Sequence, residues 1–148
     1  MATRSTIALE YADGTVHQIY CHWDGYLEGV GKTLLEHYMD PFKVRELMDL
    51  GDISSLGEVI GEQHPFAHYD VSMSLDEHEE KYGNMTTAYG RDRGESRIEA
   101  QHYSDYEFYR LNRRDEEYDY ILRTDGKWYV SDHGRPFVEV MQVLEVAQ

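Results

Sequence analysis

The stretch Thr6-Ile7-Ala8-Leu9-Glu10-Tyr11, Ala12-Asp13-Gly14, Thr15-Val16-His17-Gln18-Ile19-Tyr20-Cys21-His22 decides how this chain folds. Both flanking runs are rich in β-branched and aromatic residues, which suit the pleated surface of a sheet. Asp13-Gly14 between them supplies the positive φ that a tight turn demands, so the sequence predicts an opening β-hairpin. The second strand sets Val16, Gln18, Tyr20 and His22 on one face against Thr15, His17, Ile19 and Cys21 on the other. Neither face is cleanly apolar, which predicts a central strand with chemistry at its end.

The same signal returns near the other end of the chain. Residues 118–123 and 127–132 flank Thr124-Asp125-Gly126 and carry Tyr118, Tyr120, Leu122, Trp128 and Val130. Between the hairpins, residues 31–38 have a helical stripe of Leu34, Leu35 and Tyr38. Asp40-Pro41 then reads as an N-cap followed by proline at the first helical position. That helix is predicted to run to about Leu50, to bury Phe42, Val44, Leu47 and Met48, and to stop at Gly51. Residues 62–95 lack periodicity and read as a long irregular excursion with one short helix at 75–82. Residues 97–103 suit a strand, residues 104–111 a helix capped by Ser104, and residues 136–146 a helix. The expectation is a single α+β domain over 1–148, an antiparallel sheet built from two hairpins with helices packed on one side.

Composition narrows the function. With 29 acids against 14 bases the formal charge is -15. Such a field repels nucleic acid and anionic membranes and suits a basic protein partner. Thirteen tyrosines add apolar area to a chain whose mean hydropathy is only -0.70. The single cysteine, Cys21, excludes an intrachain disulfide and reads as a buried, inert thiol. No signal-peptide core and no membrane-length apolar run occurs, so a cytoplasmic location is expected.

Four clusters bear on chemistry. Gly29-Val30-Gly31-Lys32-Thr33 resembles the end of a phosphate-binding loop, but the motif's first glycine falls on Tyr26, so a glycine turn at a helix start is the better account. His64 and His68, near Asp70, have a metal-like spacing, yet Pro65 breaks the helix needed to align them; no metal and no cofactor is expected. His22-Trp23-Asp24-Gly25-Tyr26 lies where a strand passes into a tight loop. His22 and Asp24 would there act as an acid–base pair and Trp23 and Tyr26 as stacking surfaces; alternatively both aromatics plug the core. The bases crowd into one span, Arg91, Arg93, Arg97, Arg110, Arg113 and Arg114. Arg91 and Arg93 would grip an anion, or else pair with internal acids.

Thr3-Arg4-Ser5-Thr6-Ile7, Tyr20-Cys21-His22-Trp23-Asp24-Gly25-Tyr26, residues 88–95 (AYGRDRGE) and Gly126-Lys127-Trp128-Tyr129-Val130 together resemble a small family of bacteriophage and mobile-element proteins. The resemblance spans most of the chain and implies a non-structural accessory protein acting inside an infected cell. The expected function is that of an acidic accessory factor. It would bind and inhibit a host defence or nucleic-acid-handling protein through that protein's basic surface, imitating DNA charge. Asp76, Glu77, Glu79, Glu80, Asp115, Glu116, Glu117 and Asp119 are the partner-facing acids of that reading. The alternative is a nucleotide-like ligand site, or an enzyme, using His22, Trp23, Asp24, Tyr26, Arg91 and Arg93. A homo-oligomer with tyrosine self-contacts is a third expectation.

Overall fold

The computed structural model describes residues 2–64 and 74–147. Each Asp-Gly pair turns the chain as its chemistry demands. Gly14 takes φ 92° while Asp13 Oδ1 accepts from the Thr15 amide at 3.0 Å. Gly126 takes φ 80° while Asp125 Oδ1 accepts from the Lys127 amide at 3.0 Å. The hairpins are β1 (Ser5–Glu10) with β2 (Val16–Cys21), and β6 (Tyr118–Leu122) with β7 (Trp128–Asp132).

The sheet is larger than two hairpins and is not wholly antiparallel. β1 lies parallel to β6, with Ile7 opposite Tyr120 and Leu9 opposite Leu122. Four short strands extend it: β3 (Ile53–Ser55), β4 (Thr87–Ala88), β5 (Gln101–Tyr103) and β8 (Val138–Glu139). The order is β4-β3-β2-β1-β6-β7-β8, with β5 pairing along the first half of β2.

Strand periodicity of two sends Ile7, Leu9, Ile19, Cys21, Tyr120, Leu122, Trp128 and Val130 to one face. Three helices supply that core from above: α1 (Lys32–His37) through Leu34, α2 (Pro41–Leu50) through Val44, Leu47 and Met48, and α6 (Val140–Ala147) through Val140 and Leu144. The buried Trp128 indole donates to the Tyr38 carbonyl at 3.0 Å, tying the β6–β7 hairpin to the end of α1. Helices do not stay on one side, however. α5 (Tyr106–Asn112) covers the opposite face, where Ala8, Val16 and Ile121 meet Tyr103 and Tyr109. Tyrosine makes this second layer, which alternation of aliphatic residues does not announce.

Local chemistry adjusts the remaining elements. Asp40 caps α2 by accepting from the Phe42 amide at 3.0 Å, and Gly51 ends it at φ 76°. Phe42 is 76% exposed rather than buried, because it stands two residues before Val44 and so on the far side of the helix. Asp105, not Ser104, caps α5 through the Phe108 amide at 2.7 Å. The strand expected over 97–103 is confined to β5, and the tail begins as β8 before turning into α6. The excursion contains α3 (Leu75–Tyr82), capped by Ser74, and α4 (Tyr89–Arg93). His68 and Asp70 lie outside the described residues. No helix among the described residues is long and apolar enough to cross a membrane.

Candidate interaction site

The loop after β2 is built to one shape. The amides of His22 and Trp23 continue the ladder onto the Ile53 and Ser54 carbonyls, at 3.2 and 3.0 Å. Asp24 then adopts φ 58°, a left-handed conformation that aspartate tolerates better than most residues. Gly25 donates to the Thr3 carbonyl at 2.9 Å and accepts from the Tyr120 hydroxyl at 2.7 Å. A Cβ on Gly25 would fall 2.7 Å from that of Ser5, and one on Gly29 only 2.2 Å from the Asp24 carbonyl oxygen. These close approaches require glycine at both positions and fix the segment around Gly29. It forms a π-helical turn, Leu27–Gly31, leading into α1.

A loop pinned at both ends still turns its largest side chains outward. Trp23 is 44% and Tyr26 40% exposed, so neither plugs the core. Asp24 and Glu28 are exposed beside them. His22 is half-buried, its Nδ1 2.7 Å from the Tyr20 hydroxyl and its ring edge-on to Trp23 at 4.8 Å. The Tyr20 bond occupies one ring nitrogen, and no hydrogen bond joins His22 to Asp24 among the described residues.

The acids of the second cluster divide. Asp115 is exposed, Glu116 pairs with Arg114 at 3.1 Å, and Glu117 accepts from the Arg4 amide at 3.4 Å. Burial, then the charges of Asp132, Glu28 and Glu117, pushes the Tyr118 phenol above its ordinary value. Glu28 of the loop and Glu117 of the cluster therefore act at the same end of the sheet. Asp119 departs from the expectation: it is wholly buried and offers no surface to a partner. Its strand parity turns it under α5. On α3, Asp76, Glu77, Glu79 and Glu80 are all exposed.

Asp119 instead anchors a polar network across the α5 face of the sheet. It accepts from the Thr6 hydroxyl at 2.6 Å and from Arg113 Nε at 3.1 Å. Gln18 Nε2 donates to Thr6 Oγ1 at 2.8 Å, and the Tyr103 hydroxyl donates to Gln18 Oε1 at 2.8 Å. Burial is the largest influence on the Asp119 carboxyl and outweighs these donors, raising it to about 6. Next to the network, Gln18, Tyr20, Asp52, Arg97, Glu99, Gln101 and Arg114 line a cavity of about 130 Å³.

Arg91 and Arg93 do not act as a free anion grip. Every N–H of the Arg91 guanidinium is committed: Nε to Asp92, Nη1 to the Ile60 and Gly61 carbonyls, Nη2 to the Thr86 carbonyl and Asp92. Arg93 pairs with Glu95 at 2.6 Å and lies over the Tyr89 ring. His64 is likewise structural, bonded to the Glu62 carbonyl and Thr87 and stacked on Tyr82.

A second constellation was not visible in the sequence. Tyr106, Arg110, Arg113, Gly134, Arg135, Pro136 and Phe137 line a cleft of about 430 Å³ between α5 and the β7–β8 turn. The crowding of arginines around residue 110 is the one signal that pointed near it. Comparison of the chain with family models, with curated proteins and with solved structures finds no match.

Proposed function

We propose that this chain is an acidic accessory protein of the bacteriophage type that binds a basic surface on a host defence or nucleic-acid-handling protein and so inhibits it. The observation that carries the reading is the Trp23–Tyr26 loop. It is stitched down by Gly25 and Gly29, presents two outward aromatics, and is flanked by the exposed Asp24 and Glu28. Aromatics held rigidly lose little freedom on binding and make effective interface anchors. Carboxylates around them speed encounter with a basic partner and select against acidic ones. Glu117 and Asp132 act on Tyr118 at the same end of the sheet as Glu28, and the four exposed acids of α3 add to the overall field.

The test is capture from bacterial lysate on the tagged chain, washed at low and at high salt, with the bound proteins identified by mass spectrometry. Retention of one nucleic-acid-handling protein at low salt and its release at high salt supports the reading. Capture that survives reversal of Glu28 and Glu117 to lysine at physiological salt would sink charge imitation as the basis of binding.

A further inference from the structure

The cleft between α5 and the β7–β8 turn gathers arginines and aromatic rings in one place. In a chain of net charge -15, its charged wall residues are all arginines, Arg110, Arg113 and Arg135. Two aromatic rings, Tyr106 and Phe137, stand 6.2 Å apart in the same wall. We propose that this cleft is a binding site for a mononucleotide, with the phosphate held by Arg110 and Arg135 and the base set against the Tyr106–Phe137 aromatic wall.

The floor is fixed before any ligand arrives. Arg113 donates to Asp119 through Nε at 3.1 Å, to the Arg110 carbonyl through Nη1 at 2.6 Å, and to Ser131 through Nη2 at 3.0 Å. Ser131 in turn donates to the Arg135 carbonyl at 2.7 Å, so one chain of bonds joins α5 to the turn. His133 and Gly134 shape that turn with successive φ values of 51° and 79°. The Arg113 guanidinium lies 4.9 Å from the Phe137 ring centre, and Arg123 covers one face of Tyr106 at 3.5 Å. Both rings are thus held by cations, which leaves little to reorganise on binding.

The two outer arginines are solvent-exposed and paired only with surface acids. Arg110 meets both carboxylate oxygens of Glu107 on the surface of α5, through Nε and Nη2. Arg135 is 73% exposed and reaches Asp132 only at 3.4 Å. Solvent-exposed pairs of this kind exchange partners easily, and a phosphate offers a guanidinium two acceptors at once. The cleft volume lies within the range that holds small-molecule ligands. The overall negative field opposes a long polyanion, which favours a single nucleotide over a nucleic acid strand.

The probe is adenosine monophosphate, titrated into the full chain and followed by amide chemical shifts and by the adenine proton resonances. Shifts centred on Tyr106, Arg110, Arg135 and Phe137, with upfield movement of the adenine protons, are expected. Adenosine and inorganic phosphate should each bind at least roughly tenfold more weakly, since each omits one half of the contact. Arg110→Gln and Arg135→Gln, both exposed and outside the core, should each weaken binding by roughly tenfold. Phe137→Leu should reduce the upfield movement, leaving the part that Tyr106 contributes. The proposal is overturned by any of three results: no response at these residues to millimolar nucleotide, equal response to phosphate alone, or unchanged affinity in both arginine variants. A single-stranded oligonucleotide binding more tightly than the nucleotide would also overturn it.

Discussion

Arg91 and Asp92 are neighbours in the chain and also a bidentate ion pair, with Nε 3.0 Å from Oδ1 and Nη2 3.2 Å from Oδ2. The Asp92 carboxylate is fully buried and also accepts from the amides of His64 and Ala88, at 3.1 and 2.7 Å. The pair therefore clamps the end of the 56–64 segment to the start of α4. Arg91→Ala would leave that carboxylate buried without its counter-charge, at a cost of about 3–5 kcal/mol. Arg91→Lys should recover only part of this, because an ammonium has three donors and no planar fork. Urea unfolding of the two variants checks both statements. An Arg91→Lys protein as stable as the parent would show that the fork geometry is unimportant.

Asp119 gives the fold a pH dependence of definite sign. Its folded carboxyl is raised to about 6, chiefly by burial, against an ordinary value of 3.8. Between those values the folded state holds a proton that the unfolded state has released. Stability from this group is therefore fully present at low pH, declines as pH rises from about 4 to about 6, and is flat above. Denaturant midpoints measured across that window should show the decline, and Asp119→Asn should flatten it. A slope unchanged in Asp119→Asn would assign the effect to other carboxylates.

Cys21 should be silent to thiol reagents while the protein is folded. Burial is the main cause that pushes its thiol up to about 12, and the side chain has no exposure. The nucleophile is the thiolate, which is scarce at neutral pH under those conditions. Alkylation should follow global unfolding, with a rate that rises in urea in step with the loss of structure. Rapid labelling of the native protein would mean that the β2 end of the sheet opens locally.

The two hairpins were legible because an Asp-Gly turn is decided by four neighbouring residues. The parallel seam between β1 and β6 was not, since residues 5–9 carry no mark of a partner at 118–122. The same limit hid the cleft: Arg110 and Arg135 are far apart in sequence and meet only because the β7–β8 turn packs beside α5. The His22–Tyr26 loop was legible as an unusual place, while the orientation of its aromatics depended on Ser5, Thr3 and Tyr120. Asp119 shows the reverse failure. It stands in an acidic run that reads as solvated, and strand parity buries it.

Strand and helix parity also explain why apolar residues on one helix differ in weight. Phe42 projects from α2 into solvent, whereas Leu47 is wholly buried beneath the same helix. Phe42→Ser should alter stability by no more than about 0.5 kcal/mol. Leu47→Ala should cost about 2–5 kcal/mol through lost burial and a residual cavity. Thermal unfolding of the two variants separates them; a large loss in Phe42→Ser would mean that an unrecognised contact covers that ring.

The loop presenting Trp23 and Tyr26 permits a sharper separation of folding from binding. Both side chains are substantially exposed, so Trp23→Ala and Tyr26→Ala should leave stability within about 1 kcal/mol of the parent. If they anchor an interface, each should weaken partner capture by roughly thirtyfold, the loss typical of a truncated aromatic hot spot. Gly29→Ala approaches the same site through the backbone. Its new methyl would lie 2.2 Å from the Asp24 carbonyl oxygen, so the loop must shift. Overpacking of this kind costs about 1–3 kcal/mol, and the displaced aromatics should lose the partner as well. Binding lost in all three, with stability lost only in Gly29→Ala, assigns the loop to recognition. Stability lost in Trp23→Ala as well, with capture intact, would make the loop a structural corner and move the interface elsewhere.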